Sequence, residues 1–142
     1  MSAVARRYYD RGRAALEGGD LASAEESLRA ALDLAPSFGN ARVAYAVAIA
    51  RAGDAPRAAQ VLRHGISRAS SPISAAAMYA TLGDVLVLGG DFFAAEEAFQ
   101  NCSQTPGFEV RVASGLARVY ARLGRYREMA AMLGRAATFK SQ

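Results

Sequence analysis

The sequence has few of the residues from which catalytic and metal sites are most often built. Its 142 residues include one cysteine, one histidine and no tryptophan. The lone Cys102 excludes an internal disulfide, and we interpret it as a small apolar core residue. The lone His64 excludes a metal site with two histidine ligands, and we expect it on the solvated side or at the end of a helix. These absences argue against an enzyme, a metal site and a cofactor.

Long apolar runs are also lacking. Although 52% of the residues are hydrophobic, many are alanines, and the longest apolar run, residues 43–50, is far shorter than the ~20 residues that a membrane-spanning helix needs. The N-terminus does not show the charged-then-apolar pattern of a secretory signal. We therefore expect a cytoplasmic protein without a membrane span, and a chain of this length to form one domain.

Lysine is nearly absent, so arginine supplies almost all of the positive charge. Of 17 basic residues only Lys140 is a lysine, and the formal net charge is +4. The bias is typical of a genome rich in G and C, and we expect a bacterial source. Its physical consequence is independent of the source, because arginine makes planar, two-point contacts to carboxylates and stacks on aromatic rings.

The sequence does contain a repeated pattern centred on glycine-rich turns. Gly19, Gly53, Gly90 and Gly124 are spaced by 34, 37 and 34 residues. After each turn, three apolar or small residues recur at the same offsets. They are Ala24, Leu28 and Ala31; Ala58, Leu62 and Gly65; Ala95, Phe99 and Cys102; and Met129, Leu133 and Ala136. A fixed period in the thirties with helix–turn–helix content is typical of a helical repeat array.

This pattern resembles the tetratricopeptide repeat, a helix–turn–helix unit of 34 residues. The third repeat matches the family pattern best, through Tyr79, Leu82, Gly83, Leu86, Gly90, Ala95 and Phe99. The second and fourth repeats are looser, with Arg42 and Ala113 at a position that is aromatic in the family. The resemblance covers roughly residues 4–140 and implies an all-α fold, a right-handed superhelical solenoid of four repeats with about eight helices. It implies one domain, residues 1–142, with repeats near 5–38, 39–72, 76–109 and 110–142.

Turn residues and helical periodicity place the individual helices. We predict them near residues 4–17, 21–34, 38–51, 55–68, 72–88, 92–103, 109–123 and 126–139. Three extra residues enter the period around Ser71-Pro72, where a serine cap followed by proline is a typical helix start. We therefore expect the fifth helix to be up to one turn longer than its counterparts.

Two further patterns could suggest chemistry, but we interpret both as structural. The pairs Glu25-Glu26 and Glu96-Glu97 fall away from the apolar stripe of their helices, so we interpret them as solvating charges rather than paired catalytic carboxylates. The Gly-Gly turns lack the Lys-Ser/Thr continuation of a phosphate-binding loop.

The resemblance also implies where a partner binds, because the first helix of each repeat lines a concave groove in this family. Carrying the family's groove positions over residue by residue gives a candidate set on four helices. Its members are Arg6, Tyr9, Arg13, Asn40, Val43, Val47, Arg51, Asp84, Arg111, Arg118 and Arg122. Independently of the family, the three arginines from 111 to 122 lie at i, i+7 and i+11, which is one helical face.

The candidate groove has an apolar middle and arginines at both ends. We expect a non-enzymatic interaction module or adaptor that binds an acidic or amphipathic segment of another protein, with apolar contacts at Val43 and Val47 and carboxylates at the arginines. The other interpretation of the arginines is that they only solvate the surface. A small secretion-type chaperone is the alternative function. A nucleic-acid-binding array is less favoured, since Asp10, Glu17 and Asp84 interrupt the basic residues.

The last helix has a broad apolar surface for a terminal element. Its polar residues Arg127, Glu128, Arg135 and Thr138 fall within only about 100° of arc. A terminal helix normally has a polar outer face, because no further repeat covers it. We therefore expect exposed apolar surface near Met132 and Phe139. That surface either tolerates exposure or is covered by a further repeat, a second copy of the chain or a partner.

Overall fold

Helices account for nearly all of the chain. The computed structural model describes residues 1–141 and contains eight α-helices and no strand in that range. The helices are α1 (Ala3–Glu17), α2 (Leu21–Leu34), α3 (Gly39–Arg51), α4 (Ala55–Ile66), α5 (Pro72–Leu88), α6 (Phe92–Gln100), α7 (Glu109–Leu123) and α8 (Tyr126–Lys140). The prediction of an all-α solenoid is confirmed. Over residues 1–141, no helix is both long and apolar enough to cross a bilayer.

The turns between paired helices repeat one construction. Gly19, Gly53 and Gly90 have φ values of 81°, 104° and 83°, in the left-handed region that favours glycine. The aspartate that follows each glycine caps the next helix, and its carboxylate accepts a hydrogen bond from the backbone N–H three residues later. The glycine and the aspartate of the repeated motif therefore have separate roles, one in reversing the chain and one in starting a helix.

The odd-numbered helices lie on the concave side of the array and the even-numbered helices on the convex side. Helix α3 contacts both α1 and α5, and α5 also contacts α7. Within residues 1–141, the backbones of the even-numbered helices do not approach one another, and only side chains reach between them. Because the odd-numbered helices are packed side by side while the even-numbered ones are spread apart, the array curves toward the odd-numbered layer.

Two helices end earlier than the periodicity predicts. Helix α4 ends at Ile66 instead of residue 68, and α6 ends at Gln100 instead of residue 103. In both cases the first N–H after the helix still bonds four residues back, but the next two bond to the carbonyl three residues back, so the chain tightens out of the α-helix. A proline lies a few residues downstream of each end, and proline disfavours helical backbone in the residue before it. The longer fifth helix is confirmed, with 17 residues in α5.

The large apolar residue of each repeat lies between helices, except in the last repeat. Leu28, Leu62 and Phe99 are fully buried, each with 0% exposure. Leu133 occupies the same position on α8 but is 52% exposed, because no later helix within the described range covers it. The predicted exposure of Phe139 is confirmed at 37%, whereas Met132 is half-buried against the core. The apolar surface of α8 is therefore real, but its most exposed members are Tyr126 and Leu133.

Candidate functional site

The candidate residues all lie on the odd-numbered helices, but they differ in exposure. Tyr9 is buried, and Val43, Val47 and Asp84 are half-buried. The remaining candidates are exposed: Arg6, Arg13, Asn40, Arg51, Arg111, Arg118 and Arg122. The concave layer thus has a partly buried middle with charged side chains toward its ends.

The structure places Tyr9 in the packing between α1 and α3 rather than on open surface. Its ring lies 4.8 Å from the ring of Phe38, the residue that precedes α3. The guanidinium groups of Arg6 and Arg13 lie 5.7 and 5.8 Å from the centre of the Tyr9 ring. Tyr9 therefore supports the two arginines through cation–π contacts, while Phe38 covers the rest of its ring.

The arginines of α1 are also engaged in pairs along their own helix. Arg6 lies 3.7 Å from Asp10, and Arg13 lies 3.6 Å from Glu17, each pair at i and i+4. All four side chains are more than half exposed. Exposed pairs of this kind contribute little to stability, so the arginines remain available to a partner's carboxylate.

The most concentrated polar contacts lie between α5 and α7. Arg118 Nη2 donates to Asp84 Oδ1 at 2.9 Å, and Arg111 Nη2 donates to Asp84 Oδ2 at 3.1 Å. Arg111 Nη2 also lies 3.1 Å from the hydroxyl oxygen of Thr81, which itself donates to the Ala77 carbonyl. Two guanidinium groups are thus held around one carboxylate, which we call the Asp84 cluster (Thr81, Asp84, Arg111 and Arg118).

Arg122, one turn beyond Arg118, has a different neighbour. Its guanidinium carbon lies 4.9 Å from the centre of the Phe92 ring, at the start of α6. This cation–π contact holds the third arginine of the α7 face close to the start of α6.

The convex side carries two ion pairs that the sequence did not reveal. Arg57 of α4 donates to Glu25 of α2 at 2.7 Å and to the hydroxyl oxygen of Tyr45 at 3.0 Å. The hydrogen bond to Glu25 is the main reason that the pKa of Arg57 is raised. The interpretation of Glu25 as a purely solvating charge is therefore corrected, because it joins two neighbouring repeats.

A similar bridge joins the third and fourth repeats. Arg125 lies 3.1 Å from Glu96, and its guanidinium carbon is 4.5 Å from the centre of the Tyr120 ring. Arg125, the residue before α8, also pairs with Glu128 of that helix, and this hydrogen bond lowers the pKa of the Glu128 carboxyl. Burial, together with a hydrogen bond to Glu96, raises the pKa of Tyr120 to about 12. Glu96, like Glu25, is thus an inter-repeat contact rather than a solvated charge.

The residues with potential for chemistry do not converge. Cys102 is fully buried, and burial raises the pKa of its thiol, which confirms it as a core residue rather than a nucleophile. Within residues 1–141, no group of three or more His, Cys, Asp or Glu side chains is arranged to hold a metal ion.

Comparison with known proteins agrees with this architecture. The tetratricopeptide repeat family model matches residues 15–83. A crystal structure of MamA superposes with a TM-score of 0.80 at 19% identity, covering 96% of this chain and 78% of that one. A MamA RS-1 ArsTM double mutant gives 0.77 at 18%, covering 96% and 75%. MamA AMB-1 gives 0.68 at 21%, covering 92% and 69%. No curated protein sequence matches the chain.

At these identities the structural likeness shows the fold, and the family model matches 69 of the 142 residues, just under half of the chain. The matched range contains the turns at Gly19 and Gly53, the aspartates that follow them and the small residues of the first two repeats. Arrays of this fold generally serve as non-enzymatic surfaces for protein–protein interaction. This chain therefore has the fold of a tetratricopeptide repeat array, and residues 15–83 match that family.

Proposed function

We propose that the concave surface binds an acidic or amphipathic segment of a partner protein, with the α7 face as its charged contact. The observation that carries the proposal is the Asp84 cluster, where two arginines already hold one carboxylate. A surface that binds an internal carboxylate in this way has the geometry to bind an external one, because the guanidinium groups are pre-positioned.

The arginines of the cluster keep unused donors. A guanidinium group has five N–H donors, and each arginine contacts Asp84 only through Nη2. Together with Arg122, three positive charges face one negative charge on this surface, a net charge of +2 (three minus one). A partner carboxylate therefore finds both free donors and a favourable potential.

The apolar part of the groove supports an amphipathic partner rather than a purely acidic one. Val43, Val47 and Val87 are half-buried along the concave layer, and Leu88 at the end of α5 is 65% exposed. Burying these side chains adds a hydrophobic contribution to the charged contact at α7. A segment with apolar residues on one side and carboxylates near one end fits both features.

The test uses a phage-displayed library of random peptides, selected on the wild-type chain. We expect the selected peptides to contain Asp or Glu beside apolar residues. Replacing Arg118 and Arg122 with Glu should weaken their binding by about tenfold or more. The melting temperature should fall only slightly, because the lost ion pair with Asp84 is partly exposed. The Arg29→Glu/Arg127→Glu variant makes the same charge change on exposed positions of even-numbered helices and should bind normally.

Undiminished binding by the Arg118→Glu/Arg122→Glu variant would exclude the α7 face as the site. Selection of peptides without acidic residues would exclude the charged part of the proposal. Tighter binding of a single-stranded oligonucleotide, with a steep dependence on salt, would favour a nucleic-acid partner instead.

We also propose that the chain self-associates through α8. The observation behind this is the exposed apolar surface of that helix, where Tyr126 is 65%, Leu133 52% and Phe139 37% exposed. In the three earlier repeats the position of Leu133 is fully covered by the packed helices. A second copy that packed on α8 would remove this surface from water in the same way.

A further inference from the structure

A second groove lies on the convex side of the array, between α4 and α6. It has a volume of about 540 Å³ and is floored by α5. At Arg63 and Leu86 it meets a smaller depression of about 340 Å³ that extends toward the start of α4. Both volumes fall in the range of roughly 300–1,000 Å³ that is typical of ligand sites. We call the two together the α4–α6 groove.

The corresponding spaces on either side are crossed by ion pairs. Between α2 and α4 the Arg57–Glu25 pair crosses the gap, and between α6 and α8 the Arg125–Glu96 pair does so. In both places a tyrosine from the odd-numbered helix lies beneath the arginine. Each bridge thus joins two neighbouring even-numbered helices over the helix between them.

The α4–α6 groove has none of the residues that such a bridge needs. Ala59 occupies the repeat position of the two bridging glutamates. Ala94 occupies the repeat position of Arg57, and Asp91 occupies that of Arg125. Leu82 occupies the position of Tyr45, and Leu86 occupies that of Tyr120. All five line the α4–α6 groove. The central gap is therefore open because these five residues cannot form the arginine–glutamate pair or supply the tyrosine beneath it.

The α4–α6 groove is better suited to a single side chain of a partner than to a flat protein surface. Leu82 and Leu86 form its floor and are 5% and 7% exposed, so only a small part of each side chain is open to a ligand. The half-buried side chains of Ile66 and Tyr79 lie higher on the same cavity. A bulky apolar side chain that reaches the base would make dispersion contacts on several sides at once.

The rims of the α4–α6 groove carry opposite charges. Arg63 projects from α4 and Glu97 from α6, and both side chains are exposed. Neither takes part in a salt bridge within the described residues, unlike the bridging residues of the neighbouring gaps. The rims are thus complementary to a ligand with a carboxylate on one side and a cation on the other.

We propose that the α4–α6 groove is a second protein-binding site, independent of the concave surface. Its ligand is an amphipathic segment of a partner protein whose bulky apolar side chain enters over Leu82 and Leu86. A carboxylate of the segment faces Arg63, and a lysine or arginine faces Glu97. The array then binds two segments at once, one on each side.

The test begins with a variant that cannot use the concave site. The random-peptide library is selected on the Arg118→Glu/Arg122→Glu chain, so that binders report other surfaces. We expect peptides with one bulky apolar residue between an acidic and a basic one. Their addition should shift the methyl resonances of Leu82 and Leu86 in carbon–proton correlation spectra.

Two groove variants then test the site itself. Ala59→Glu/Ala94→Arg introduces the ion pair of the α2–α4 gap, without its tyrosine, and should weaken binding of the selected peptides by about tenfold or more. Arg63→Glu/Glu97→Arg changes only exposed rim residues. It should weaken the same peptides and bind their charge-reversed versions better, which distinguishes recognition from unfolding. Both variants should bind the acidic peptides of the concave site normally.

If both groove variants bind the selected peptides as tightly as the chain without the groove substitutions, the proposal is overturned. Methyl shifts confined to Leu133 on α8, or to Val43 and Val47 on the concave side, would also overturn it, since either would place the peptide elsewhere. If the Arg118→Glu/Arg122→Glu variant binds acidic peptides normally, the concave-site proposal fails. The two groove variants and the methyl shifts still test the α4–α6 groove, so the two proposals are tested separately.

Discussion

At the scale of single residues, two glycines make room for one buried ring, that of Phe99. Phe99 is fully buried, and its ring lies between Gly83 of α5 and Gly115 of α7. A Cβ added at Gly115 would lie 2.4 Å from the Phe99 ring, and one at Gly83 would lie 2.6 Å from it. The enclosed ring has no open space to move into, so these two positions require the absence of a side chain.

Replacing Gly115 with Ala should therefore destabilise the array, although alanine is the better helix former. Overpacking costs roughly 1–3 kcal/mol, more than the gain of at most about 1 kcal/mol in helix propensity. Gly134 on α8 is the matched control, since an added Cβ there meets nothing within 4 Å. Gly134→Ala should be neutral or stabilising. Urea unfolding monitored by circular dichroism checks both, and equal effects would contradict the packing argument.

The contact of Tyr120 with Arg125 and Glu96 can be tested through the ionisation of the tyrosine. Burial, with the hydrogen bond to Glu96, raises the folded-state pKa to about 12, whereas a free tyrosine has a pKa of about 10. The unfolded chain therefore releases this proton first as the pH rises. The stabilising contribution is complete below about pH 10 and is lost toward about pH 12, a change of about 2–3 kcal/mol.

We expect Tyr120→Phe to lose less unfolding free energy than the wild-type chain between about pH 10 and pH 12. Denaturant unfolding at a series of alkaline pH values measures both slopes. The comparison concerns the slope and not the absolute stability, because removing the hydroxyl also removes its hydrogen bond to Glu96. Parallel curves for the two proteins would mean that Tyr120 ionises normally.

Residue pairings across repeats were the part of the site that the sequence could not reveal. The shared face of the α7 arginines follows from helical spacing, and the burial of Cys102 follows from its repeat position. The pairing of Glu25 with Arg57, or of Asp84 with Arg111, depends on how two helices lie against each other. Periodicity within one helix carries no information about the distance between side chains of two different helices, or about their rotamers.

At the scale of elements, α8 differs from the other even-numbered helices because nothing packs on its far side within the described range. Its Leu133 is half exposed where its counterparts are fully buried. Helix boundaries were otherwise close to the prediction, since Gly-Asp turns and prolines mark most of them. The ends of α4 and α6 were missed because the last turn tightens gradually, with no single residue that stops the helix.

If α8 mediates self-association, the chain should sediment as a mixture of monomer and dimer that shifts with concentration. Leu133→Glu should keep it monomeric without reducing its melting temperature, because the substituted side chain is already half exposed. Glu in place of the exposed Leu34 on α2 is a matched control and should leave the association intact. A wild-type chain that stays monomeric at every concentration would exclude this interface.

At the scale of the whole molecule, the architecture is readable from the sequence because it is repetitive. Four glycine-rich turns and the residues at fixed offsets from them locate the helices and the core. The exceptions to the repeat carry the functional information instead. The α4–α6 groove is open because Ala59 and Ala94 cannot form an ion pair across it. The ion pairs of the neighbouring gaps depend on contacts between repeats, so the sequence does not show that one is missing here.

The central claim is that the concave layer, and specifically the α7 face, binds an acidic segment. The most direct measurement is a nitrogen–proton correlation spectrum recorded while an acidic peptide selected on the wild-type chain is added. The account predicts that the largest shifts fall on Asp84, Arg111 and Arg118, with smaller ones at Val43 and Val47, and that added salt reduces them. Shifts confined to the even-numbered helices, or unaffected by salt, would contradict it.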